Sequence, residues 1–188
     1  MPGARFQNWS LFLDRDGVIN TRLPDAYVYN PEQFEFMPGV PDAIARLRTL
    51  FDPIVVVTNQ QGIGKELMTS AQLDEVHQYM LRELEKAKAH IDKIYYCPDL
   101  KNSGSGFRKP ESGMAIQAKA DFPQINFEQS IIVGDSWSDM EFGQRLGMYC
   151  VFISTKAGEN LELESRGIHI HAEFPSLPAF TDSLFRIK

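Results

Sequence analysis

Short runs of apolar residues recur along the chain, and each is followed by a polar turn and then by a segment of helical periodicity. This alternation predicts βαβ units around a parallel sheet. The runs are nearly continuously apolar, as expected for strands that are buried on both faces. The predicted strands span residues 10–13, 54–58, 93–97, 130–134 and 149–153.

Helical signals fill the segments between and after these strands. Apolar residues from Val40 to Phe51 recur at helical spacing and predict the first helix. The second has a capping box at Thr69 and Gln72 and is expected to end near Ala89. Further helices are predicted over residues 112–122, 136–146 and 177–186.

Length and composition are those of an ordinary globular protein. The 188 residues fit one domain, so we expect residues 1–188 to fold as a single unit. A net charge of −6 without a long Lys/Arg run argues against a nucleic-acid partner. The chain has no signal-peptide pattern and no apolar run near the ~18 residues of a membrane span. We therefore expect a cytoplasmic protein that binds no membrane, with a monomer as the default from its size.

The two cysteines, Cys97 and Cys150, each lie within an apolar, strand-like run. Two isolated cysteines of this kind do not form a disulfide framework. We expect both to be reduced residues of the core.

Carboxylates follow the carboxyl ends of two predicted strands. Asp14 and Asp16 follow the first strand, and Asp135 and Asp139 follow the fourth. In an open α/β sheet this edge is where ligands bind. Carboxylates that converge there repel each other unless a divalent cation is present, and Mg²⁺ prefers oxygen ligands. The sequence therefore predicts a magnesium site.

Other polar residues stand after the remaining predicted strands. Thr58 and Asn59 end the second strand, and a loop after the third carries Arg108 and Lys109. Taken alone, each of these pairs, and the Asp-x-Asp sequence as well, is also typical of a turn or a helix cap. The functional interpretation depends on their occurrence together, on strand ends that meet at one edge.

The ordered set of these residues resembles the four motifs of the haloacid dehalogenase superfamily of phosphatases. Longer matching stretches, residues 14–20, 58–63 and 108–110, resemble the branch that holds heptose bisphosphate and histidinol phosphatases. The resemblance covers almost the whole chain and implies a three-layer α/β/α, Rossmann-like fold without a cap domain. It also implies the hydrolysis of a phosphomonoester. The four motifs are Asp14-x-Asp16-Gly17, Thr58-Asn59, Lys109-Pro110 and Gly134-Asp135-x-x-x-Asp139.

The resemblance implies catalytic roles for the carboxylates. Asp14 would be the nucleophile, forming an aspartyl phosphate that divides one difficult displacement into two easier ones. Asp16 would act as the general acid and then as the general base. Asp14, Asp135 and the backbone carbonyl of Asp16 would hold Mg²⁺, which neutralises charge in the transition state.

The resemblance also implies a phosphate-binding group. Thr58 and Lys109 would bind the phosphoryl oxygens, through a hydroxyl group and a fixed positive charge. Asn59 and Arg108 would contact the substrate or its phosphate. Asp139 would orient Lys109 or a metal-bound water.

The loop before Arg108 departs from this branch, whose members often carry a zinc site there. Asp99, Ser105 and Phe107 stand at positions where the branch has His, Cys and Cys, so that only Cys97 remains. A structural zinc ion needs four ligands, and we expect none in this chain. Position 136 holds Ser136, where these sugar phosphatases often have Lys.

The departures leave the substrate open within one chemical class. A small sugar phosphate is the leading class, with D-glycero-D-manno-heptose 1,7-bisphosphate as the best single prediction. Histidinol phosphate or another small phosphorylated metabolite is the nearer alternative. A phosphate-binding module without turnover, or a magnesium phosphotransferase, would be a different kind of function.

The histidines carry no predicted chemistry. His77 falls on the second predicted helix and His90 just beyond it, and both are interpreted as solvated. His169 and His171 alternate on a predicted strand without a third metal ligand nearby, which favours a structural or exposed pair.

Aromatic residues in the segment after the first strand have two interpretations. They form a wall of the active site, or they anchor the segment in the core. The residues are Tyr27, Tyr29, Phe34 and Phe36.

Overall fold

The computed structural model describes residues 6–23, 26–155 and 158–185. None of the helices in these ranges is long and apolar enough to cross a membrane. Two short 3-10 turns occupy Pro31–Gln33 and Phe127–Gln129. The strands are β1 (Trp9–Leu13), β2 (Phe51–Asn59), β3 (Lys93–Cys97), β4 (Ser130–Gly134), β5 (Tyr149–Ile153) and β6 (Ala172–Phe174). The helices are α1 (Val40–Leu47), α2 (Ser70–Lys86), α3 (Gly113–Asp121), α4 (Trp137–Leu146), α5 (Glu159–Ser165) and α6 (Leu177–Phe185).

The six strands form one parallel sheet in the order β3-β2-β1-β4-β5-β6. The order reverses between β1 and β4, and such a switch point opens a crevice beyond the carboxyl ends of the strands. Leu13 of β1 is level with Val56 of β2 and with Val133 of β4. The residues that follow these three strands therefore emerge side by side, as the sequence predicted.

Both faces of the sheet are buried because successive strand residues point to opposite sides. Leu11 and Leu13 face a core that includes the apolar sides of α1, α2 and α6. Phe12 faces a second core with residues of α3, α4 and α5. Cys97 and Cys150 are buried, free thiols of this second core. The predicted three-layer α/β/α architecture and the core position of both cysteines are confirmed.

Several predicted boundaries differ from the structure. The first helix ends at Leu47, and Phe51, assigned to its apolar stripe, begins β2 beside Trp9. Helix α2 ends at Lys86 instead of near residue 89. Helix α5 was not predicted, because it is mostly polar, and β6 has only three residues and begins just after the strand that was predicted around His169 and His171.

Candidate active site

The carboxyl edge of the sheet forms one open cleft with a volume of about 1340 Å³. Its floor lies at the switch point between β1 and β4, and its wall includes the loop of residues 101–106. All of the predicted site residues line this cleft. They are Asp14, Asp16, Thr58, Asn59, Arg108, Lys109, Asp135 and Asp139.

Lys109 is the buried cation of the cleft, with 3% of its surface exposed. Its Nζ donates hydrogen bonds to Asp14 Oδ1 at 2.9 Å and to the carbonyl oxygen of Val57 at 2.6 Å. The same nitrogen lies 2.5 Å from Asp139 Oδ1. Burial opposes the charge, but Asp139 and Asp14 outweigh it and raise the pKa of Lys109. Lys109 is thus a fixed positive charge beside Asp14.

Asp139 connects Lys109 to the first turn of α4. Its Oδ2 accepts hydrogen bonds from the backbone nitrogen of Ser136 at 3.1 Å and from the Ser136 hydroxyl at 2.5 Å. A Cβ atom at Gly134 would lie 2.2 Å from the Cβ of Asp139, so this close approach requires glycine. The same carboxylate therefore caps the helix and contacts Lys109.

The Asp16 carboxylate accepts hydrogen bonds from three side chains. Arg15 Nη2 reaches both of its oxygens at 2.9 Å, Asn20 Nδ2 lies at 3.0 Å and Gln60 Nε2 at 2.9 Å. Burial would raise the pKa of Asp16, but the charge of Arg15 and these hydrogen bonds outweigh it and lower the pKa. This arrangement favours the ionised form of Asp16.

Three buried carboxylates approach one another across the switch point. Asp14, Asp135 and Asp139 each offer an oxygen within 4.8 Å of the others. Burial raises the pKa of Asp14 above its usual value. The positive charge of Lys109 opposes this rise, and the negative charge of Asp139 adds to it. Burial likewise raises the pKa of Asp135 to about 7. The positive charge of Arg22 opposes this rise, and the negative charges of Asp14 and Asp139 add to it. The cluster carries more negative charge than Lys109 balances.

Arg22 supplies a second cation to this cluster. Its Nη2 lies 2.5 Å from Asp135 Oδ1 and donates to the backbone carbonyl of Asp16 at 2.9 Å. Gly17 has a φ of +93°, and a Cβ there would lie 1.9 Å from Asp135 Oδ2, so the backbone closes on the carboxylate only with glycine. Converging carboxylate and carbonyl oxygens, with a cation already on two of them, are a donor set that fits Mg²⁺.

The end of β2 carries amide and hydroxyl groups that organise the cleft. Gln60 Nε2 donates to Thr58 Oγ1 at 2.9 Å as well as to Asp16. Asn59 bonds the backbone of Lys109 twice, accepting from its nitrogen at 3.0 Å and donating to its oxygen at 3.1 Å. Asn59 therefore fixes the Lys109 loop, and its predicted contact with substrate stays a prediction.

The loop that departs from the zinc-binding pattern is held by hydrogen bonds. Cys97 Sγ lies 3.5 Å from Asp99 Oδ2 and 3.8 Å from Ser105 Oγ. The hydroxyl of Ser105 also accepts from the backbone nitrogen of Phe107 at 3.2 Å. Arg108 Nη1 donates to the carbonyl oxygen of Asp99 at 3.2 Å, and burial lowers the pKa of Arg108. These bonds set the shape of the cleft mouth.

His77 is buried, so its interpretation as a solvated residue was wrong. Its Nε2 lies 3.2 Å from Nη1 of Arg15, the residue that holds Asp16. Burial lowers the pKa of His77 to about 3. The positive charge of Arg15 lowers it too, and the negative charge of Asp16 opposes both effects. A neutral His77 accepts a hydrogen bond from Arg15, and this bond helps to position the guanidinium group that contacts Asp16. His90, in contrast, is exposed as expected.

Replacing His77 with Gln is expected to reduce the loss of stability in acid. Gln keeps an acceptor for Arg15 but takes up no proton. In the wild type, the unfolded chain binds a proton at His77 below about pH 6.5 and the folded protein does not until about pH 3. The free energy of unfolding therefore falls through this window, by about 2 kcal/mol from this group between pH 7 and 5.

Urea unfolding at pH 7 and pH 5 measures this difference. The wild type should lose more stability than His77→Gln, while His90→Gln, at an exposed position, should behave as the wild type. Equal losses in wild type and His77→Gln would contradict the buried neutral state of His77.

The aromatic residues after β1 divide between the two interpretations. Tyr27 lines the cleft, with Lys65 Nζ 5.5 Å from the centre of its ring. Phe34 is buried and packs edge-to-face on Phe36, so these rings anchor the segment in the core. Tyr29 is 40% exposed.

His169 and His171 lie just before β6, not on a strand as predicted. Their rings pack edge-to-face with centroids 5.2 Å apart. His171 Nδ1 accepts from the backbone nitrogen of Cys150 at 3.0 Å and stacks on Tyr149. His171 therefore holds the segment before β6 against β5, which is a structural role.

Comparison with known proteins agrees with this geometry. Residues 106–179 match the family model described as HAD-hydrolase-like. A Mycobacterium tuberculosis (strain H37Rv) relative named D-glycero-alpha-D-manno-heptose-1,7-bisphosphate 7-phosphatase is 40% identical over 73% of each chain. An Escherichia coli (strain K12) relative, named as the phosphatase of the beta anomer, is 38% identical over 70% of this chain and 71% of its own.

A solved structure shows the same architecture. It is described as the D,D-heptose 1,7-bisphosphate phosphatase from B. bronchiseptica complexed with magnesium and phosphate. It superposes with a TM-score of 0.83 at 30% identity, over 93% of this chain and 97% of that one. A second, from Burkholderia thailandensis and of the same name, gives a TM-score of 0.69 at 28% identity, over 95% of this chain and all of its own.

Proposed function

The chain belongs to the HAD-like hydrolase family, and from this membership we propose that it is a magnesium-dependent phosphatase of sugar phosphates. The substrate we assign is D-glycero-D-manno-heptose 1,7-bisphosphate, hydrolysed at its 7-phosphate. The observation that carries the proposal is the position of Asp14 beside the buried Lys109, at the switch point of the sheet. The carboxylate of Asp135 and the carbonyl of Asp16 complete the oxygen set.

In the first step, a carboxylate oxygen of Asp14 attacks phosphorus and the bond to the sugar oxygen breaks. Lys109 holds Asp14 in place and binds the phosphoryl oxygens together with Thr58. Asp16 gives a proton to the departing alkoxide and then takes one from the water that attacks the aspartyl phosphate. The products are the sugar alcohol and inorganic phosphate, with Asp14 free and Asp16 protonated again. Magnesium, held by Asp14, Asp135 and the Asp16 carbonyl, would neutralise charge on the phosphoryl group.

Asp16 must be protonated for the first step, although Arg15 and its hydrogen bonds lower its pKa. An anionic phosphoryl group bound beside Asp16 raises the pKa again, since a nearby like charge disfavours the ionised form. Arg15 is fully buried and cannot follow the substrate. Arg15 and the bound phosphoryl group therefore act on the pKa of Asp16 in opposite directions, and binding of the substrate favours the protonated form that the first step needs.

The cleft mouth suits a substrate with more than one anionic group. Although the chain carries a net charge of −6, the cleft is lined by four basic side chains in addition to the buried Lys109. Relatives named for both anomers of heptose 1,7-bisphosphate support the same substrate class. The basic residues are Arg22, Lys65, Lys101 and Arg108.

The biological setting is part of the proposal. We infer that the enzyme is a cytoplasmic monomer that acts on a small metabolite and works without zinc, nucleic acid or membrane. Cys97 is the one cysteine at the positions where the related branch has zinc ligands, and one thiolate does not form a structural zinc site.

A substrate panel tests the assignment. Purified protein is incubated with Mg²⁺ and each anomer of heptose 1,7-bisphosphate, with histidinol phosphate and with a simple hexose phosphate, and phosphate release is measured. We expect the highest kcat/KM for one heptose bisphosphate anomer, with loss of activity when a chelator is added. Phosphorus NMR of the product should show that the 1-phosphate remains.

Two other outcomes of the substrate panel would change the assignment. Preference for histidinol phosphate would replace the substrate and keep the mechanism. Absence of phosphate release from every compound, with Mg²⁺ present, would contradict the proposal and favour a phosphate-binding module.

A further inference from the structure

We propose that Arg22 is an exchangeable counter-ion of the active site, which occupies the metal-ligand oxygens in the metal-free enzyme and moves to an anionic group of the substrate when the metal binds. The inference rests on the proposed function, because it requires that the cleft binds Mg²⁺. It adds a residue to the specificity of the site that no family motif contains.

The first observation is that Arg22 bonds the oxygens that suit the metal. Nη2 lies 2.5 Å from Asp135 Oδ1 and 2.9 Å from the Asp16 carbonyl oxygen, and both belong to the expected ligand set. A guanidinium nitrogen and a divalent cation cannot both occupy the space between these two oxygens. Binding of the metal therefore requires that Arg22 leaves.

The second observation is that Arg22, unlike Lys109, is free to leave. The side chain of Arg22 is 40% exposed, whereas that of Lys109 is 2% exposed and bonds three buried groups. Residues 21–23 belong to no helix or strand. Among the described residues, Arg22 donates its side-chain hydrogen bonds to the two metal-ligand oxygens. Once these oxygens bind a metal, the guanidinium needs another anion.

The third observation concerns the position that the Arg22 guanidinium would take after it leaves these oxygens. Arg22 lines the same cleft as Lys65, Lys101 and Arg108, so a short rotation of its long side chain keeps it among the groups that face the substrate. Position 136, which directly follows Asp135, is occupied by the neutral Ser136. Arg22 is the cation nearest to Asp135 in the described structure, and a phosphate or sugar-phosphate oxygen gives it the charged partner that it loses.

If Arg22 is exchanged in this way, we expect two measurable effects in Arg22→Gln, which removes the positive charge of the side chain. The variant should bind Mg²⁺ about tenfold more tightly than the wild type, within the range typical of coupled binding events, because no guanidinium has to be displaced. At saturating Mg²⁺, its KM for the sugar phosphate should rise several-fold while kcat changes much less, since uniform substrate binding is lost.

Calorimetric titration with Mg²⁺ alone provides the test, with thermal unfolding in the absence of metal as the second measurement. The metal-free variant should unfold at a lower temperature, and added Mg²⁺ should raise its unfolding temperature more than that of the wild type. Arg46→Gln is the matched control: its side chain is 44% exposed and pairs with Asp182 at 2.6 Å, away from the cleft. This control should bind Mg²⁺ as the wild type does.

Equal or weaker Mg²⁺ binding by Arg22→Gln, in a wild type that needs Mg²⁺ for phosphate release, would overturn the inference and leave the proposed function intact. A wild type that neither binds Mg²⁺ nor releases phosphate would overturn the proposed function itself.

Discussion

Replacement of Asp14 by Asn is expected to abolish phosphate release, with a fall in kcat of about 10⁴-fold or more. An amide oxygen is a far weaker nucleophile than a carboxylate, so the aspartyl phosphate does not form. The amide also carries no charge for the metal. Phosphate release from the preferred substrate at saturating Mg²⁺ measures the effect.

The Asp14→Asn variant should remain folded, because Asn has nearly the same shape and removes one of three crowded carboxylates. Asp74→Asn, at an exposed position of α2, controls for the loss of an aspartate and should keep full activity. Retention of more than about a hundredth of the wild-type kcat by Asp14→Asn would exclude Asp14 as the nucleophile.

Replacement of Lys109 by Met is expected to have the largest effect on stability, lowering the free energy of unfolding by about 3 to 5 kcal/mol in metal-free protein. Lys109 lies between Asp14 and Asp139 with its charge fully enclosed, and its loss leaves two buried carboxylates without their shared partner. Activity should be lost as well. Urea unfolding at pH 7 without metal is the measurement.

Two variants sharpen this prediction. Lys93→Met breaks an exposed ion pair with Asp121 and should cost less than about 1 kcal/mol. The double variant Asp14→Asn/Lys109→Met should recover part of the stability lost in Lys109→Met, because one unpaired charge is removed. A loss in Lys109→Met no larger than in Lys93→Met would contradict the role of Lys109 as the buried counter-ion.

The sheet was predictable because its strands are short and apolar on both faces. A run such as residues 130–134 is level with its neighbours in a parallel sheet, so the motif residues after each strand had to meet at one edge. That rule placed Asp14, Thr58 and Asp135 in one cleft from the sequence alone. The weakly patterned α5 and β6 offered no comparable signal.

The residues that support the site were not predicted, because their roles arise only from packing. Gln60 stands two positions after Thr58 at the same strand end, and only that position in the sequence indicated a place near the site. His77 looked like a polar helix residue until the structure placed it against Arg15. Arg22 lies in a loop whose path over the cleft depends on contacts far away in the sequence.

The most direct test of the mechanism is to trap the phosphorylated carboxylate. The Asp16→Asn variant is mixed with Mg²⁺ and an aryl phosphate, whose leaving group departs without a proton from Asp16, and the reaction is quenched within the first turnover. Borohydride reduction and peptide mass spectrometry then locate the acyl phosphate. We expect a burst of one aryl alcohol per enzyme and a reduced residue at Asp14. Phosphate release without a labelled Asp14, or a label at another residue, would contradict it.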